Sequence, residues 1–102
     1  MGHNERMITH VVLLTLKPGT DPAAAERLGR SLTDFAVKLD GCLAYLAAPS
    51  DKLRPGADFV ILADFESEAA WKHYAEHPLH LRIIQEQLLP ITERRESTQI
   101  RR

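Results

Sequence analysis

Hydrophobic and polar positions divide the chain into four extended segments and two helical regions. Residues 7–17 are rich in β-branched and aliphatic side chains and end at a Pro-Gly pair, which predicts a strand. Both faces of this strand carry apolar residues, so we expect both to be covered. Asp21 and Pro22 form a typical helix start, and the apolar residues that follow recur at positions 28, 32, 35 and 39. This spacing predicts a helix that ends at residues 40–41, where a glycine supplies the terminus.

The second half of the chain predicts two more strands, a broken helix and a final extended segment. The two strands are expected over residues 42–48 and 57–65. Ser67 can cap a short helix, and Pro78 should end that helix and restart a second piece over about residues 79–89. Residues 91–100 alternate poorly and carry several charges, which indicates an edge strand or a partly exposed tail.

The element order β-α-β-β-α-β predicts an α+β fold of the ferredoxin-like kind, with a four-stranded antiparallel sheet and helices on one face. The opposite face would then leave Val11 and Leu13 uncovered. A second copy presenting the same face would cover them, so we predict a homodimer whose sheets pack face to face. We expect residues 1–6 to be a flexible N-terminal leader and residues 7–102 to be a single domain.

Composition and charge narrow the range of partners that the protein could have. The hydrophobic content of 44% and the charged content of 26% are typical of a folded globular domain, and a net charge of −1 gives no basic footprint for nucleic acid. No apolar run approaches the ~20 residues of a membrane helix, so we expect no membrane partner. The single cysteine, Cys42, excludes an intramolecular disulfide. We therefore expect a reducing, cytoplasmic location.

The residues that can exchange protons near neutral pH are concentrated between positions 71 and 90. This segment holds the only Trp, one of the two Tyr and three of the five His of the chain. Tyr74, His77 and His80 follow one another at three-residue spacing, which would bring each pair together on a continuous helix. The predicted break at Pro78 leaves that continuity open. His10 lies on an apolar face of the first strand and could lie beneath them. Taken singly, His10 and Trp71 are more often core residues than site residues.

A metal site is the first alternative for these histidines. His73, His77 and His80, at four- and three-residue spacing, could in principle bind zinc. No Cys accompanies them and no H-E-x-x-H pattern is present, so we predict no metal. The chain also lacks a Gly-rich phosphate loop and a nucleophile elbow, and Cys42 is interpreted as an unreactive thiol.

Three segments together resemble the stress-responsive dimeric α/β-barrel (Dabb) family: I-T-H-V-V-L-L-T-L-K-P-G, A-D-F-V-I-L-A-D-F-E-S and Y-A-E-H-P-L-H. The resemblance covers nearly the whole chain and implies a ferredoxin-like fold and a tight homodimer whose two sheets close into a barrel. The family includes the plant olivetolic acid cyclase, in which a Tyr and the last His of H-P-x-H act without a cofactor. The resemblance thus implies that Tyr74 and His80 form an acid/base pair, assisted by His10, and that no cofactor is needed.

The same resemblance implies a cavity between helices and sheet. We expect its ligand-binding residues to be His77, Phe59, Ile61 and Trp71. Phe59 stands where the cyclase has a cavity histidine, and the first helix lacks the cyclase's bulky aromatic residues, so the cyclase's own substrate is not implied. Three functions stay open. We favour a protein that binds a small carbonyl or aromatic ligand, ahead of a cofactor-free cyclase, lyase or isomerase and of a purely structural dimer.

Overall fold

The computed structural model describes residues 6–102, which form one antiparallel sheet of four strands in the order β2-β3-β1-β4. The elements are β1 (Ile8–Leu16), α1 (Pro22–Ala36), β2 (Cys42–Pro49), β3 (Phe59–Phe65), α2 (Glu68–Glu76), α3 (Pro78–Ile83), a π-helical turn (Ile84–Leu88), a 3-10 turn (Leu89–Ile91) and β4 (Thr92–Arg101). The predicted sheet, the element order and the position of β4 at an edge are confirmed. The predicted leader lies outside the described residues, apart from Arg6.

Helix α1 begins as the sequence predicts and ends earlier. The Asp21 side chain accepts a hydrogen bond from the Ala23 N–H at 2.9 Å, and Pro22 occupies the first helical position. The prediction that the helix continues to residue 40 is wrong, because it ends at Ala36. Tighter hydrogen bonds between residues three apart carry the chain on to Gly41, which has a φ of +87°.

Helix α1 packs closely on strand β2 because Gly29 lies at their contact. A Cβ atom at that position would stand 2.6 Å from the carbonyl oxygen of Ala47. The close approach brings the apolar stripe of α1 onto the inner face of the sheet. The buried residues of this aliphatic core are Val12, Leu14, Ala25, Leu28, Leu32, Phe59, Ile61 and Leu88. These side chains pack α1 and the π-helical turn against the sheet.

The second helical region is broken at Pro78, as predicted. The Ser67 side chain caps α2 by accepting a hydrogen bond from the Ala70 N–H at 3.1 Å. His77 is extended, with a ψ of 134°, and its Nδ1 atom accepts a hydrogen bond from the Leu79 N–H as α3 begins. A regular helix was expected as far as residue 89, but the chain widens into a π-helical turn that ends at the buried Leu88. The sequence offers no periodic signal for one wider turn.

The outer face of the sheet keeps apolar side chains in solvent. The large apolar side chains exposed on this face are those of Leu13, Leu46, Leu62 and Ile100, which are between 39% and 56% exposed. Leu62 lies opposite Val11 on one side and opposite Leu46 on the other, so these residues form a continuous patch across three strands. Within the described chain, therefore, β1 is covered only on its helix side. None of the helices between residues 6 and 102 is both long and apolar enough to cross a membrane.

Candidate functional site

A cavity of about 220 Å³ lies between the second group of helices and the inner face of the sheet. Its strand side is formed by alternate residues of β1, β3 and β4, and its helix side by α2, α3 and the π-helical turn. The lining residues are His10, Val12, Ile61, Trp71, Tyr74, Ala75, His80, Ile84, Leu88, Arg95, Ser97 and Gln99. The sheet register explains the strand side, because His10 lies opposite Gln99 and Val12 lies between Ser97 and Ile61. The lining thus combines apolar side chains with polar ones, and half of its twelve residues carry a polar group besides the indole of Trp71.

His10 is only 9% exposed, and its hydrogen bonds determine which ring nitrogen carries the proton. The indole Nε1 of Trp71 lies 3.3 Å from His10 Nδ1, and the side-chain nitrogen of Gln99 lies 3.1 Å from the same atom. An indole N–H can only donate, so Nδ1 must accept and the neutral ring carries its proton on Nε2. Burial, with a smaller contribution from His80, lowers the pKa of His10 to about 4. At neutral pH His10 is therefore a neutral hydrogen-bond donor through Nε2.

His80 has the opposite arrangement, because its Nδ1 atom lies 3.1 Å from the carbonyl oxygen of Ala75. A carbonyl can only accept, so His80 Nδ1 carries the proton and Nε2 keeps a free lone pair. This contact depends on the break at Pro78, which turns the first turn of α3 back toward the end of α2. Burial lowers the pKa of His80, and the positive charge of Arg95 acts in the same direction, while the bond to Ala75 opposes both. The neutral ring therefore predominates at neutral pH and presents a base.

Tyr74 lies between these two histidines and is almost completely buried. Its ring centroid is 4.4 Å from that of His80 and 5.9 Å from that of His10. The Tyr74 hydroxyl is hydrogen-bonded to the Tyr45 hydroxyl at 2.6 Å. Burial raises the pKa of Tyr74 to about 12 and raises that of Tyr45 as well, so both hydroxyls are protonated at neutral pH. One proton forms the bond between the two oxygens, and the other is left for a further acceptor.

The structure brings five of the seven predicted site residues to the cavity: His10, Ile61, Trp71, Tyr74 and His80. Phe59 lies elsewhere, in the aliphatic core beneath α1, where its ring is next to Gly29. It shares a strand face with Ile61, but two residues along a strand shift a side chain by roughly 6.6 Å, which moves Phe59 under a different helix. His77 also points away from the cavity. The ring centroids of His77 and Phe35 are 4.9 Å apart, and the Nδ1 atom of His77 caps α3.

Four polar residues of the site were not predicted from the sequence. Tyr45 reaches Tyr74 from β2, while Arg95, Ser97 and Gln99 line the cavity from β4. The three β4 residues are two apart, so a strand with one face toward the helices would have identified them. Charged residues on both sides of β4 obscured that alternation. Tyr45 carried no such signal, because only the sheet order reveals that β2 lies close enough to Tyr74.

The described residues contain no group of three His, Cys, Asp or Glu side chains that could hold a metal ion. His73 and His77 have ring centroids 5.4 Å apart, but His80 turns inward toward the cavity and does not join them. The polar groups of the cavity are imidazole, phenol, amide, hydroxyl and guanidinium. Such a set can donate and accept protons and can bind an oxygen atom of a ligand.

The sequence matches the family described as the stress-responsive A/B barrel domain over residues 8–100. The chain belongs to this family, which confirms the resemblance drawn from its three segments. No curated protein matches the sequence. The fold, in contrast, has many solved relatives.

Three solved structures illustrate this likeness. A dimeric ferredoxin-like protein of unknown function from Thermobifida fusca has a TM-score of 0.86 at 21% identity, over 97% of this chain and 93% of that chain. A Dabb-family protein with a ferredoxin-like fold from Mesorhizobium loti has a TM-score of 0.77 at 20% identity, over 94% and 96%. The hydroxynitrile lyase of Passiflora edulis has a TM-score of 0.80 at 13% identity, over 96% and 94%. At these identities the likeness concerns the fold, and it confirms the ferredoxin-like arrangement.

Proposed function

We propose that the protein binds a small carbonyl or aromatic compound in the cavity between β1 and the second group of helices. The observation that carries the proposal is the pairing of opposite tautomers, with a donating His10 Nε2–H and an accepting His80 Nε2 lining one cavity. A cavity of about 220 Å³ is smaller than the roughly 300 Å³ and upward typical of drug-sized ligands. The ligand is accordingly a compound of about one ring or less.

A second candidate function is proton abstraction by His80, with Tyr74 and His10 as the other members of the site. In this step the proton of a carbon next to a carbonyl moves to His80 Nε2, and the C–H electron pair moves toward the carbonyl oxygen. The enolate oxygen then accepts a hydrogen bond from Tyr74 or His10. The neutral state of His80 favours this chemistry, because a protonated imidazole has no lone pair to use as a base. The lyase from Passiflora edulis supports it only through a shared fold.

Exchange of the methyl protons of acetophenone for deuterium tests both functions, because acetophenone is a small aromatic ketone. NMR in D₂O measures binding through ligand signals and proton abstraction through loss of the methyl signal. If the proposal holds, acetophenone binds saturably and Ala75→Leu, which fills the cavity, abolishes binding. Ala69→Leu is the matched control, because Ala69 is exposed on the same helix. Saturable binding that survives Ala75→Leu would contradict the location.

His80→Gln separates binding from catalysis in the same assay. Exchange catalysed by the wild type and lost in His80→Gln, with binding retained, supports the base. Binding without catalysed exchange in either protein supports the ligand-binding function alone. His73→Gln is the control for a histidine change, since His73 lies exposed on α2 and outside the cavity.

We also propose a homodimer formed through the outer face of the sheet. The supporting observation is the continuous exposed patch that contains Leu13, Leu46 and Leu62, because a patch of this kind on one sheet face favours a self-complementary contact. The Thermobifida fusca protein with this fold is dimeric. Analytical ultracentrifugation should give a dimer for the wild type and a monomer for Leu62→Lys. Leu53→Lys, in a loop and 92% exposed, should remain dimeric; a monomeric wild type would contradict the proposal.

A further inference from the structure

Among the residues that the structure describes, Arg95 is the only permanently charged one that lines the cavity. It lies on β4 on the same strand face as Ser97 and Gln99, at the mouth where the cavity meets solvent. The lining residues among the described part of the chain include neither Asp nor Glu. The only permanent charge among the described lining residues is therefore positive.

The two arginines at the C-terminal end of the described chain, Arg101 and Arg102, have carboxylate partners, and Arg95 does not. Arg101 pairs with Glu68 at 2.7 Å, and Arg102 pairs with Asp64 at 3.0 Å. Between residues 6 and 102, no carboxylate lies within 4 Å of the Arg95 guanidinium. The arginine that faces the cavity is thus available to a ligand, whereas those at the sheet end are used to hold the C-terminal segment.

We propose that the cavity selects a small carboxylate, whose anionic group pairs with Arg95 while its apolar body lies against Tyr74 and Ile61. This inference rests on the proposed ligand binding and names the chemical class of the ligand. A guanidinium matches a carboxylate through two parallel hydrogen bonds, which a neutral amide cannot reproduce. Gln99 and Ser97, on the same strand face, add neutral polar groups along the path from the mouth to His10.

A charge on the ligand would also affect the protonation of His80, because Arg95 acts on that residue. The charge of Arg95 disfavours protonation of His80, so a bound carboxylate would offset it. An anionic ligand would thereby strengthen His80 Nε2 as a base, and a neutral one would not. The carboxylate thus fixes the orientation of the ligand and adjusts the neighbouring imidazole at the same time.

Benzoate and benzamide test the inference, because they share a ring and differ in charge. Titration of the full chain at pH 7, followed by protein NMR, should show benzoate binding about tenfold more tightly than benzamide. Arg95→Gln should remove this difference, and Arg95→Lys should restore part of it. Arg94→Gln is the matched control, because it removes the same charge from the adjacent residue on the opposite strand face. It should leave the preference for benzoate unchanged.

The possible results separate this inference from the proposed function. Equal affinity for the two compounds in the wild type would overturn the carboxylate class and leave ligand binding intact. A preference for benzoate that persists in Arg95→Gln would overturn the role of Arg95. Absence of saturable binding by both probes would also overturn the carboxylate inference, while the acetophenone experiment would decide the proposed function independently.

Discussion

The inner face of one sheet supports two regions that differ in what fills them. Beneath α1, the buried residues are aliphatic apart from Phe59, and they are at most 5% exposed. Beneath α2 and α3, the same strands carry His10 and face Tyr74, His80 and a cavity. Because the strands are shared, the difference comes from the side chains they carry and from the helices that cover them. Close apolar packing stabilises the first region, whereas the second retains space and holds only one ring nitrogen of each of its two histidines in a hydrogen bond.

Replacement of Leu32 by Ala should produce the largest loss of stability. Leu32 is completely buried in the aliphatic core, so the change removes apolar contacts and leaves a cavity. We expect a decrease of about 3 kcal/mol in the free energy of unfolding, measured by urea denaturation. Leu53→Ala, at an exposed loop position, should change it by less than about 0.5 kcal/mol. A loss below about 1 kcal/mol for Leu32→Ala would contradict close packing in this region.

Acidification should weaken the second region specifically. The pKa of His10 in the folded protein, about 4, lies below its ordinary value of 6.5, so between these values the unfolded state binds more protons. The contribution of neutral His10 is complete above pH 6.5 and is lost as the pH falls toward 4. We expect it to account for about 2 kcal/mol of the stability lost between pH 7 and pH 4.5.

The control for this pH dependence is a second histidine. His10→Gln should reduce the loss of stability on acidification, because glutamine keeps an acceptor for Trp71 and does not titrate. His73→Gln should leave the loss unchanged, since His73 is exposed on α2. If the wild type and His10→Gln lose the same stability between pH 7 and pH 4.5, His10 is not held neutral by burial.

The bond between Tyr45 and Tyr74 should have the smallest effect. Tyr74→Phe removes one hydroxyl and leaves the other, partly buried, without its partner. We expect Tyr74→Phe and Tyr45→Phe, each alone, to lower the free energy of unfolding by about 1 kcal/mol. The double change should cost less than the sum, because neither hydroxyl is then left unpaired. Additive losses in this double-mutant cycle would mean that the two hydroxyls do not interact.

The fold was largely predictable because its local signals agree with one another. The Asp21 and Ser67 caps, the Pro78 break and the strand periodicity all depend on nearest neighbours in sequence. The early end of α1 and the π-helical turn were missed. Both depend on how the last helical turns pack on the sheet, which periodicity does not record.

The site was predictable only in part. His10, Tyr74 and His80 could be identified because their residue types and the H-P-x-H motif are visible in the sequence. Tyr45 and Arg95 could not, since their roles depend on the strand order β2-β3-β1-β4 and on which face of β4 turns inward. Phe59 was predicted to line the cavity but lies beneath α1, for a related reason. Alternation identifies the inward face of β3 but does not identify which helix covers each position along it.

Long-range ¹H–¹⁵N NMR of the imidazole rings at pH 7 measures the tautomeric states of His10 and His80 directly. His10→Gln and His80→Gln assign the signals by their disappearance. We predict a neutral His10 protonated at Nε2 and a neutral His80 protonated at Nδ1. The same tautomer at both positions, or a doubly protonated ring at either, would contradict the donor–acceptor pair on which the proposed function rests.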